Sequence, residues 1–96
     1  MALHGELDLA TAPRLEAELQ DLLHGDGEPL EQVVLDLRDL MFLDSTGLEV
    51  IVQLDAAGRR MGFQLTLVRG PRAVERLFSI MQLDRTLRLV NDPNEV

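Results

Sequence analysis

The chain has 96 residues, 46% of them hydrophobic and 27% charged, with no cysteine and a formal net charge of −8. That size holds one small domain with a single core, and the apolar share is too high for a disordered chain. Without cysteine there is no disulfide, thiolate zinc site or thiol nucleophile, and an acidic excess argues against nucleic-acid binding.

No apolar run approaches the roughly 20 residues of a membrane helix, and the first residues lack the basic start and apolar stretch of a signal peptide. The expected location is therefore the cytoplasm. Charge is unevenly spread: residues 1–48 hold two Arg and eleven acidic residues (−9), whereas residues 49–96 hold seven Arg and six acidic ones (+1). All nine basic residues are Arg, so no Lys is present for a Schiff base or a phosphate-binding loop.

In chain order, Glu6-Leu7-Asp8 follows Gly5, so at most a stub of strand is expected before the first helix. Thr11-Ala12-Pro13 then marks a helix start: a hydroxyl cap, followed by Pro in the first turn, where a missing N–H costs nothing. Leu15, Leu19, Leu22 and Leu23 recur at helical spacing, with Gly25 as the stop and His24 favouring the helix dipole. His24 to Pro29 is the only linker-like stretch.

Val33-Val34-Leu35-Asp36-Leu37 is apolar at nearly every position and reads as a central strand ending before Arg38-Asp39. The pattern from Leu48 through Val50, Ile51, Val52 and Leu54 predicts a helix ending near Gly58, despite three β-branched residues. Phe63 to Val68 reads as a strand. Gly70-Pro71 opens an amphipathic helix with Val74, Leu77, Phe78 and Met81 at i, i+3, i+4 and i+7. Leu87 to Val90 is a short final strand, and residues 91–96 are expected to fray. Strands alternating with helices predict a single α/β domain over residues 1–96 with a small, mostly parallel or mixed sheet.

The segment Leu40 to Glu49 joins a buried strand to a helix, the place where open α/β sheets display loops and bind ligands. Thr46-Gly47-Leu48-Glu49 fits a capping box, which leaves the Ser45 hydroxyl without a structural task; alternatively Ser45 itself is the cap. Asp44 serves as a turn residue or cap, and also as negative charge beside Ser45. A serine here suits phosphorylation, because a helix N-terminus offers free N–H groups to a group carrying about −1.5 to −2 charge. Met41-Phe42-Leu43 forms an apolar triplet in the loop, core-facing in part, from which one exposed side chain would make a partner contact.

Catalysis is not expected. Leu43-Asp44-Ser45-Thr46-Gly47 lacks the first Gly of a hydrolase elbow. Asp44 is no aspartic-protease residue, since Ser45 interrupts the triplet and no second copy exists. His4 and His24 stand too far apart for a metal pair. Arg72 and Arg76, four apart beside Arg69, form either a solvated face, the favoured reading, or a patch for an acidic partner.

These residues resemble the STAS-domain family of anti-sigma factor antagonists. The resemblance rests on Gly5-Glu6-Leu7-Asp8 before the Thr11-Ala12 helix, on Val33 to Leu37, and on Phe42-Leu43-Asp44-Ser45-Thr46-Gly47-Leu48. Arg69-Gly70-Pro71, Val74, Leu77-Phe78 and Leu83-Asp84 extend it. It implies a cytoplasmic bacterial partner-switching regulator. Such an antagonist binds an anti-sigma factor that is also a serine kinase, which releases a sigma factor. Phosphorylation of the serine, here Ser45, breaks the complex, and a metal-dependent phosphatase of the PP2C type restores it. Phe42, Leu43, Asp44, Ser45, Thr46 and Gly47 would form the partner-binding loop. No cofactor is implied for the antagonist, since the kinase carries the ATP.

The family's usual strand and turn before Gly-Glu-Leu-Asp are replaced by Met1-Ala2-Leu3-His4 alone. A truncated chain, or an open sheet edge that pairs with a second copy, is the expectation. The competing reading is an unphosphorylated STAS module of a transporter or stress-sensing assembly.

Overall fold

Among the described residues, each of the three α-helices connects two parallel strands. The computed structural model describes residues 2–7, 10–23 and 31–95. The elements run β1 (Ala2–Leu7), α1 (Ala12–Leu23), β2 (Gln32–Leu43), α2 (Ser45–Met61), β3 (Gln64–Val68), α3 (Arg72–Ile80), a 3-10 turn (Leu83–Arg85), β4 (Arg88–Val90) and a second 3-10 turn (Pro93–Glu95). The sheet order is β1-β2-β3-β4, parallel throughout. Right-handed crossovers that step in one direction place their helices on one face of the sheet.

The burial pattern fits that one-faced arrangement. Val33, Leu35 and Leu37 of β2 and Leu65 and Leu67 of β3 enter one core with Leu15 and Leu19 of α1, Ile51 and Leu54 of α2, and Val74 and Phe78 of α3. The alternate positions, paired Val34↔Thr66 and Asp36↔Val68, lie on the opposite face. Thr66 there is wholly buried, and its Oγ1 has no hydrogen-bond partner. An unpaired buried hydroxyl costs about 1–3 kcal/mol. Thr66→Val is therefore expected to stabilise the fold by about 1 kcal/mol and to raise the melting temperature by a few degrees in calorimetry.

On the same face, Asp36 holds Arg38 in a fork: Arg38 Nε donates to Oδ1 at 3.0 Å and Nη2 to Oδ2 at 2.6 Å. The hydrogen bond from the Arg38 side chain holds the Asp36 carboxyl below its ordinary pKa of 3.8, against the raising effect of burial. A lowered folded pKa means the pair stabilises the fold above the unfolded value and stops doing so as pH falls through the folded one. The melting-temperature gap between wild type and Asp36→Asn is expected to be constant at neutral pH and to close below about pH 4.

Several boundaries differ from the sequence-based expectation. Ala2–Leu7 is a six-residue strand and no stub. β2 runs six residues past Leu37, so Met41-Phe42-Leu43 belongs to a strand and not to a loop. The cause is two irregularities against β1: Ala2 and His4 pair with Asp36 and Asp39, and Gly5 and Glu6 pair with Leu40 and Phe42. Each adds a residue to β2, breaking the period of two at Arg38-Asp39 and again at Met41-Phe42, where both neighbours face solvent.

α2 passes Gly58 and ends at Met61, with Gly62 in the left-handed region (φ 91°) donating to the Gly58 carbonyl at 2.8 Å. Gly58 marks a close approach inside the helix, since a Cβ there would lie 2.6 Å from the Phe63 carbonyl oxygen. Of the run Val50-Ile51-Val52 in α2, Val50 and Ile51 are buried, and there packing outweighs propensity, while Val52 is exposed.

α1 starts at the expected place, directly after Thr11, whose backbone carbonyl accepts from the amides of Arg14 and Leu15. Gly25 and the His24–Pro29 linker lie outside the described residues. α3 ends at Ile80, so Met81 is exposed and not on the buried stripe. Residues 93–95, expected to fray, form a turn in which Glu95 accepts from the Asn91 amide at 2.8 Å.

Candidate functional site

The β2–α2 junction is built on Asp44. It is the N-cap of α2, with an extended backbone (φ −108°, ψ −176°) and Oδ1 accepting from the Gly47 amide at 3.0 Å. Its own carbonyl accepts from Leu48 N at 3.0 Å. Neither Ser45 nor Thr46 is the cap, and Glu49 does not reach back as a capping box requires. Instead Glu49 accepts from Gln53 Nε2 at 3.3 Å, one turn further along the helix. Asp wins because its carboxylate offers a charged acceptor to N–H groups at the positive end of the helix. Removing that acceptor in Asp44→Ala is expected to cost about 1 kcal/mol in chemical denaturation.

Ser45 is thereby the first residue of α2 and is exposed. Among the described residues no hydrogen bond engages its hydroxyl. Thr46 is half-buried, and Gly47 is buried. Behind them, β1 holds the junction from below: Asp44 N donates to the Leu7 carbonyl at 3.1 Å. A Cβ on Gly47 would lie 2.5 Å from that same oxygen, 2.6 Å from Leu7 Cγ and 2.8 Å from Leu43 Cδ1. The N-terminus of α2 rests directly on the end of β1, and only glycine permits that approach.

The six candidate residues therefore divide. Ser45 and Phe42 (49% exposed) face outward and Thr46 is half-buried, whereas Leu43 (8% exposed) is part of the core. Asp44 and Gly47 shape the turn. Met41, 80% exposed, adds a second apolar side chain to the surface. Leu7 was not among the candidates, although it anchors the junction. A signal for it existed in Gly47, a poor helix former in the first turn of a helix, where only close packing favours it.

An exposed helix-initiating hydroxyl thus sits where a parallel α/β sheet passes into a helix, with the exposed apolar side chains of Met41 and Phe42 just upstream. The model of the STAS domain matches residues 1–96, and the chain belongs to that family. Its structure is similar to the crystal structure of an anti-sigma factor antagonist from Mycobacterium paratuberculosis, with a TM-score of 0.78 and 26% sequence identity. That likeness covers 98% of this chain and 77% of the other. Among the described residues, no helix is long and apolar enough to cross a membrane.

Proposed function

We propose that this chain is an antagonist of an anti-sigma factor, acting in the cytoplasm by binding and not by catalysis, and that phosphorylation of Ser45 switches the binding off. The observation that carries this reading is the division of labour at the junction. Asp44 does the capping, so Ser45 is exposed at the helix start with its hydroxyl uncommitted. The likeness to an anti-sigma factor antagonist supports the class of partner.

In this reading Phe42, Ser45 and Thr46 touch the partner, with Met41 beside them, while Leu43, Asp44 and Gly47 hold the backbone in place. The partner is a serine kinase that brings its own ATP, and a PP2C-type phosphatase reverses the modification. β1 ends the order of the described sheet, and its outer edge suits pairing with a second copy.

The direct test incubates the chain with its cognate anti-sigma kinase and ATP and maps phosphate by mass spectrometry. One phosphate on Ser45, absent from Ser45→Ala, is the expected result. Modification elsewhere, or none, overturns the switch.

A further inference from the structure

Away from the Ser45 junction, uncompensated charge gathers on the outer face of α3. The chain as a whole carries −8, yet Arg72 and Arg76 stand four residues apart on this helix, both exposed. Among the described residues neither joins an ion pair. The acid of the same helix does not balance them, because Glu75 is committed elsewhere. Its Oε2 pairs with Arg69 Nη1 at 3.1 Å and its Oε1 accepts from the Gly70 amide at 2.9 Å. Arg69 is drawn off by the same contact, which leaves Arg72 and Arg76 as the two cations of this helix face.

The stripe continues into apolar surface. Residues four apart on a helix are neighbours on its surface, so Arg72, Arg76 and Ile80 form one line. Ile80 is 65% exposed, and Met81 beyond it is also exposed, just before the chain turns at Gln82 through a left-handed backbone (φ 59°). Val74 and Phe78 commit the opposite side of α3 to the core, so the outer side is available for contact.

We propose that this stripe docks an acidic segment of a partner protein. Two carboxylates one helical turn apart would meet Arg72 and Arg76, and an apolar side chain would close over Ile80 and Met81. Charge complementarity selects this occupant. A duplex or an anionic bilayer spreads its charge over tens of ångströms and would also meet the acidic remainder of the surface, whereas a short segment meets only the two guanidinium groups. A second copy meeting this face with the same face would set the Arg72 and Arg76 cations of the two copies against each other. Arginine suits the task because its fork takes a carboxylate through two hydrogen bonds.

The test uses the intact chain and a fluorescent helical peptide carrying Glu at i and i+4 and Leu at i+8. The same peptide with Lys for Glu, and phosphatidylglycerol vesicles, serve as the other arms. Expected is binding of the Glu peptide in fluorescence anisotropy that weakens as salt is raised. R72E/R76E weakens it about tenfold or more, with unchanged circular dichroism. I80S weakens it without changing its salt dependence. S45D leaves it unchanged, so the outcome is independent of the Ser45 reading. The proposal is overturned by no binding of the Glu peptide, by binding indifferent to R72E/R76E, or by equal binding of the Lys peptide. Arginine-dependent binding to the vesicles alone would assign the surface to lipid. Self-association in sedimentation that R72E/R76E abolish would assign it to a second copy.

Discussion

Gly47→Ala is expected to destabilise the domain by about 2 kcal/mol, lowering the melting temperature by about 10 °C. The sign is not obvious from helix propensity, since Ala in place of Gly inside a helix ordinarily gains about 1 kcal/mol. The added methyl here meets the Leu7 carbonyl oxygen at 2.5 Å and Leu7 Cγ at 2.6 Å, and one of these is backbone held in the sheet. Overpacking of that kind typically costs 1–3 kcal/mol, and more where the neighbour cannot yield. To relieve it, α2 must lift off β1, which lengthens the bond from Asp44 N to Leu7 O and displaces Ser45 with it. Partner binding is therefore expected to weaken in step with stability. Denaturant titration and binding measured on one preparation check both; a Gly47→Ala protein at least as stable as wild type would show that the approach is not close.

Phosphorylation of Ser45 is expected to do the opposite to the two properties. The fold should hold or gain slightly, because a phosphate at the first residue of α2 adds negative charge where the helix dipole favours it by typically 0.3–1 kcal/mol. Binding to the anti-sigma factor should fall at least about a hundredfold. Burying a dianion against apolar surface such as Met41 and Phe42 costs several kcal/mol, and about 2.7 kcal/mol is already a factor of one hundred. The acidic first half of the chain adds repulsion wherever the partner is itself acidic near this junction. Calorimetric melting and titration of the phosphorylated and unmodified chains separate the effects. Loss of binding accompanied by loss of fold would assign Ser45 a structural role in place of a switch.

Much of the architecture was legible in the residues. The start of α1 at Thr11-Ala12-Pro13, the strand at Val33 to Leu37 and the amphipathic α3 all followed from periodicity and capping chemistry, which act over a few neighbours. The segment Phe42 to Leu48 stood out for the same reason, as an apolar run breaking into turn and hydroxyl residues. What misled was local geometry set by a distant strand. The extra residues in β2 made the alternation stop at Leu37, although pairing with β1 continues to Leu43. Gly58 looked like a terminator and is a contact with Phe63.

Length, composition, charge and short-range pattern together pointed to one small α/β domain, acidic, without thiol or lysine chemistry, and with an unusual serine at a strand–helix junction. Those conclusions rest on inventory and short-range pattern, which the linear chain contains in full. Only the tertiary structure decided which side chain caps the helix. Asp44, Ser45 and Thr46 are all competent caps by residue type. The choice among them depends on where β2 delivers the backbone and how Leu7 holds it against Gly47. Asp44 takes the cap, Ser45 is left facing solvent, and that assignment is a consequence of strand pairing between residues far apart in the chain.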